Sequence, residues 1–157
     1  MSESAEPQPR TASTGYALRD LAFRLLFSSI FIGLGGEHLF SDDLLQTLMP
    51  AWVPEPRLVS IACGLFLLAG GGTILLGWHI RTGARVLAVF LVLVTALVHL
   101  PGLTSHPAFV PEGSVWLWDM FQRSNFVKNL CLLGVCIHLM GHAPGRFSLD
   151  ARRGPRS

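Results

Sequence analysis

Six side chains in this sequence carry usable chemistry at places where apolar runs begin or end. Glu37 and His38 close one run, His99 closes another just before Pro101, and Lys128 and Asn129 stand near the start of a third. Trp52 lies in the proline-bracketed stretch MPAWVPEP. A carboxylate, two imidazoles, an ammonium and an amide can exchange hydrogen bonds and protons, and imidazole changes charge near neutral pH. Ionised groups in apolar surroundings are costly, and Glu37 and Lys128 could offset part of that cost by pairing. Such a set suits the polar head of a lipophilic molecule. A quinone fits this chemistry, because its carbonyl oxygens need donors and its proton exchange needs groups such as His and Glu.

Other polar residues read more plainly. His138 and His142 are four apart on one helical face, a spacing that can hold a metal or a haem but is also common for interfacial histidines. His79 lies at a comparable level, yet no complete ligand set is identifiable. No flavin or nicotinamide fingerprint appears, and no nucleophile stands beside a recognisable base. No catalytic or metal-binding residue is therefore assigned. Arg24 is expected to snorkel to lipid phosphate. Cys63, Cys131 and Cys136 lie in apolar runs without CxxC spacing and read as small buried hydrophobes. Gly33, Gly35 and Gly36 do not make a phosphate loop, because no strand precedes GLGG and no Gly-Lys-Ser/Thr follows it. With Gly64, Gly70, Gly71 and Gly72 they read as a face where helices approach closely.

The elements that must position these residues follow from composition. The chain has 157 residues, enough for one domain; 50% are hydrophobic and only 14% charged. Soluble domains carry about 25% charged residues, so this chain lacks the charge to coat a water-exposed surface. A net charge of +2 without a basic patch gives no reason to expect a nucleic-acid partner. The composition is that of a membrane protein, with the lipid bilayer as its first partner.

A span needs roughly 20 mostly apolar residues. Residues 18–40, 58–78, 82–100 and 126–140 answer that requirement, the last being short. Pro101 closes the third, and Pro50, Pro54 and Pro56 precede the second. The brief connection from Gly77 to Gly83 makes the middle two an antiparallel hairpin. Arg10, Arg19, Arg24, Arg81, Arg85, Arg146, Arg152, Arg153 and Arg156 fall on the side of the termini, against Arg57, Arg123 and Lys128 opposite. The positive-inside rule then sets both termini inside. Glu37, His38, Trp52, His99, Lys128 and Asn129 accordingly meet at one outer plane. The segment 101–125, with Trp116, Trp118 and Phe121 beside Asp119 and Arg123, reads as a short amphipathic helix in the outer interface, either an anchor or a lid over the polar group.

The order of these features resembles the DoxX-like family of small four-helix bacterial membrane proteins. The stretches that carry the resemblance are GGEHLF, LMPAWVPEPR, GGGTILLGWHIRTGARVLAV, VHLP and FVKNLCLLG, over about residues 20–140. The resemblance implies an all-α fold of four spans, and a place beside oxidoreductases that handle sulfur or oxidative stress. Some members are similar to the membrane subunit of a thiosulfate:quinone oxidoreductase. It also implies site positions at His38, Trp52, Pro54, His99, Lys128 and Asn129. Many relatives carry a glutamate just before the glycine pair of the second span, where this chain has Leu67 and Leu68.

The resulting expectation is an all-α integral bundle of four transmembrane helices in the inner membrane, both termini inside. Residues 1–16 form a disordered cytoplasmic tail, 17–143 the helical domain, and 144–157 a basic cytoplasmic tail. The chain is read as an accessory subunit of a membrane redox system that binds quinone near the outer face and is not catalytic alone. Its expected partners are an oxidoreductase subunit and a second copy as a homodimer. Two alternatives stay open: a scaffold that anchors a soluble partner through the Arg-rich tail after Pro144, and a small-solute transporter, which would need a dimer.

Overall fold

A computed structural model describes residues 14–142 and 145–152, and wherever these are regular they are helical. The expected N-terminal tail as far as residue 13, and residues 153–157 of the expected C-terminal tail, lie outside the described residues.

Helix α1 spans Thr14–Phe40 without an internal proline. Its buried positions Ala17, Asp20, Arg24, Phe27, Ser28, Phe31 and Gly35 follow the helical repeat, so one stripe faces inward. A short helix α2, Asp42–Leu48, leads to α3, Pro56–Leu76, which opens with proline at its first position, where no N–H is needed. Gly77 ends α3 in the left-handed conformation (φ 66°), and His79 follows it there at φ 53°. Helix α4, Ile80–Val94, returns alongside α3 as the short connection requires. It runs on through a π-helical turn, Thr95–His99, into α5, Leu100–Gly102. After a loop and a 3₁₀ turn, α6 spans Val115–Met140, and a last short helix, α7, covers Leu149–Arg152.

The four long runs pack antiparallel in chain order, α1 on α3, α3 on α4, and α4 on α6. Below, the terminal end is the one that carries residues 14 and 142, and the distal end is its opposite. Phe27, Phe31, Leu67, Ile74, Leu87, Leu91, Cys136 and Leu139 form a core to which every long run contributes. Close approach of backbones depends on glycine. A Cβ on Gly35 would lie 2.8 Å from Leu68 Cγ and 3.1 Å from the Gly64 carbonyl, and one on Gly70 would lie 2.7 Å from Leu87. Those glycines form the contact face expected of them, whereas Gly33, Gly36 and Gly72 have open space beside them.

The exterior is apolar too: Leu26 is 76% exposed, Leu58 64% and Ile137 60%. Soluble monomers rarely expose contiguous apolar surface beyond a few hundred Å². Two runs, Pro56–Leu76 and Ile80–Gly102, are long and apolar enough to cross a bilayer. Helices α1 and α6 have the length, 27 and 26 residues, but carry more charge.

Two expectations are corrected here. Residues 115–125 do not form a separate interfacial helix; they are the first three turns of α6, because no glycine or proline interrupts them. Arg24 does not reach outward to lipid. It is 1% exposed and donates to Asp20 within the bundle.

Candidate functional site

The inward stripe of α6 is polar for half its length. Its buried positions are Trp118, Gln122, Asn129, Cys136 and Leu139, spaced by fours, sevens and threes along one face. Opposite this stripe lies the distal part of the α4 run. In α4 the inward positions are Ile80, Gly83, Ala84, Leu87, Ala88 and Leu91, an ordinary α-helical progression. The π turn then inserts one residue: the Leu100 N–H donates to the Thr95 carbonyl, five residues back. Pro101, having no N–H, leaves the Leu97 carbonyl without its usual donor, which favours such a break. The inserted residue shifts the helical phase, and Thr95 and His99 both come to face α6.

The contacts form a ladder. Nearest the distal end, the Trp118 indole N–H is shared by the carbonyls of Gly102 (3.3 Å) and Ser105 (3.1 Å). Next, His99 Nδ1 lies 2.8 Å from Gln122 Oε1. An amide oxygen only accepts, so Nδ1 carries the proton, and in the neutral imidazole Nε2 keeps its lone pair. Gly102 makes room for this rung, since a Cβ there would lie 2.6 Å from Gln122 Cδ. One helical turn deeper, Asn129 Nδ2 donates to Thr95 Oγ1 at 3.1 Å. Lys128, half-buried, donates to Asn125 Oδ1 at 2.7 Å and lies close enough to His99 to act on it electrostatically.

Of the six residues singled out in the sequence, His99, Lys128 and Asn129 thus share the α4–α6 seam. His38 belongs to the seam between α1 and α3, where the Ser60 hydroxyl donates to the His38 carbonyl at 3.2 Å and lies 3.0 Å from His38 Nδ1. Glu37 and Trp52 are exposed, and Lys128 bonds Asn125 rather than pairing with Glu37. The six are thus divided between two seams and the exposed surface, not gathered in one seam. Lys128 sits deeper than a helix start because α6 begins thirteen residues before it, about 20 Å of helix at 1.5 Å per residue.

Sequence reasoning passed over Thr95 and Gln122, and read Trp118 as interfacial. Gln122 carried a signal, being seven residues before Asn129, but it was hidden inside a segment read as interfacial. Sequence reasoning also passed over Asp20, which stands at the centre of a cluster at the terminal end. Asp20 accepts from Arg24 Nε at 3.0 Å and from the Gly145 N–H at 3.3 Å, and its other oxygen lies 2.7 Å from His142 Nε2. Arg24 Nη1 donates to the Leu75 carbonyl at 2.8 Å. The spacing of four between Asp20 and Arg24 was the available signal. His138, the other half of the expected histidine pair, is exposed, and among the described residues no group of three or more His, Cys, Asp or Glu could hold a metal ion.

Helices with an apolar exterior, glycine contacts and a buried polar seam define a helical membrane protein. The DoxX family model matches residues 20–100, just over half of the sequence, and the chain belongs to that family. The match runs from Asp20 in α1 through α2, α3, α4 and the π turn to Leu100, and ends before α6. No curated protein and no solved structure matches the chain.

Proposed function

We propose that the chain is a four-span inner-membrane protein with both termini inside, an accessory subunit of a membrane redox system that binds a quinone head at the α4–α6 seam. The observation that carries this reading is the pair made by His99, on a π turn, with Gln122 of α6, together with the half-buried Lys128 farther along α6. An ionisable residue within a span is costly and is a functional-site hypothesis by default. Helical phase also has to be broken to bring His99 there, and π insertions of this kind cluster at functional sites.

The residues present fit a quinone. Its carbonyl oxygens need donors, and the Lys128 ammonium has protons beyond the one given to Asn125. Its hydroxyl form needs an acceptor, and Nε2 of His99 has no hydrogen bond among the described residues. Gln122 fixes the ring and its tautomer, as an orienting partner does for a catalytic imidazole. When bound, a quinone would supply two-electron, two-proton redox chemistry. The chain's own part is to hold the head, exchange a proton at His99 and exclude water, while electrons come from a partner oxidoreductase. Asn129 steadies the seam from below, and Glu37, His38 and Trp52 are assigned to the entry at the distal end.

The test is extraction from native membranes. Quinone should copurify with the wild-type protein in stoichiometric amount and be lost from His99→Leu and Lys128→Leu, with helical content unchanged. Equal quinone in all three preparations would reject the site.

A further inference from the structure

Residues 145–152, expected as part of a basic tail, are bound to the terminal end of the bundle at both of their own ends. The Gly145 N–H donates to Asp20, and the Asp150 carboxylate accepts from the His79 N–H at 2.8 Å, while the Asp150 N–H donates to the Gly77 carbonyl at 3.0 Å. Between these points Ser148 is fully buried, and its hydroxyl accepts from the Ala151 N–H at 3.1 Å. A Cβ on Gly77 would clash with Ser148 and lie 2.7 Å from Arg24 Nη1, so strap, hairpin turn and guanidinium meet at one point. On α1, Arg24 Nη2 and the Ser28 hydroxyl are fully buried and have no hydrogen-bond partner among the described residues. They stand one turn apart on α1.

We propose that residues 145–152 are a releasable strap over a buried polar site on α1, latched at Asp20 and at Asp150. The closed strap gains the hydrogen bonds named above and the burial of Ser148. Against this, closure withholds water from two donors that need it, Arg24 Nη2 and Ser28 Oγ. Those opposing terms make closed and open arrangements comparable, the condition for a switch. Opening admits water, or a small acceptor dissolved in it, to Arg24 and Ser28 while the core formed by Phe27, Phe31, Ile74 and Leu139 stays packed.

Two readouts on the full-length protein in detergent test this. In amide hydrogen exchange, residues 145–152 should open together as one unit, faster than α3, and both Asp150→Ala and Asp20→Asn should speed that opening about tenfold or more. Because Asp20→Asn perturbs the buried arginine, Asp150→Ala carries the decision: it touches neither Arg24 nor Ser28. In the second readout Ser28→Cys, an isosteric change, is challenged with a water-soluble maleimide, and labelling at position 28 is read by peptide mass spectrometry. Labelling should be slow with the strap intact and about tenfold faster when Asp150→Ala is added. Exchange or labelling indifferent to Asp150→Ala would overturn the strap, as would free exchange of residues 145–152 in the wild type.

Discussion

Asp20 and Arg24 are each 1% exposed in their side chains, so neither charge is screened by water. Breaking such a pair by removing one partner leaves an uncompensated buried charge, at a cost of about 3–5 kcal/mol. Asp20→Ala should lower the thermal midpoint sharply, and Asp20→Ala combined with Arg24→Met should recover much of the loss. A midpoint for the double variant as low as for the single one would show that the charge is not the cause. His99 and Gln122 allow a gentler version. Replacing either by Leu strands its partner's polar group, at about 1–3 kcal/mol, whereas replacing both should cost less than the sum. Strict additivity in that cycle would mean that the two side chains do not depend on each other. The Asp20–Arg24 spacing was readable in the sequence, yet its burial was not. Arg24 donates to the Leu75 carbonyl and Asp20 accepts from the Gly145 N–H, partners 51 and 125 residues away, and no local pattern announces those contacts.

Among the elements, the π turn has the largest consequence for the site. Deleting Leu97 would restore an unbroken α-helix and turn every residue beyond it by about 100°. His99 would then leave Gln122. The expected outcome is a helical, folded protein that has lost its quinone; retained binding would mean that the insertion does not position the site. The glycines give a graded prediction. Gly35→Ala and Gly70→Ala meet Leu68 and Leu87 at 2.8 and 2.7 Å and should destabilise the bundle. Gly33→Ala and Gly36→Ala enter open space and should be neutral or stabilise it by up to about 1 kcal/mol, as thermal melts in detergent would record. Helix breakers were legible: Pro56, Gly77 and Pro101 stand where the chain turns or changes phase. The start of α6 was not. Asp119 and Arg123 made residues 115–125 look interfacial although no glycine or proline interrupts them, and the partners that Trp118 and Gln122 find at Gly102, Ser105 and His99 join them to the bundle.

At the scale of the whole molecule, composition alone identified a membrane protein, because 14% charged residues cannot cover a water-facing surface. The exposed Leu26, Leu58 and Ile137 are side chains that hydrocarbon solvates and water does not. What composition could not convey is the arrangement of the polar groups. They are divided between an α1–α3 seam at His38 and an α4–α6 seam at His99. The proposed orientation predicts that reporters fused to either terminus will be active only in the cytoplasm, and an external C-terminus would reverse the direction in which the site opens. The central claim, that the His99 seam holds a quinone head, is tested most directly by equilibrium titration of the purified chain with a short-tailed quinone. The account predicts saturable binding to the wild type that weakens about tenfold or more, equivalent to 1.4 kcal/mol, in both His99→Leu and Lys128→Leu. Identical titration curves for all three proteins would contradict it.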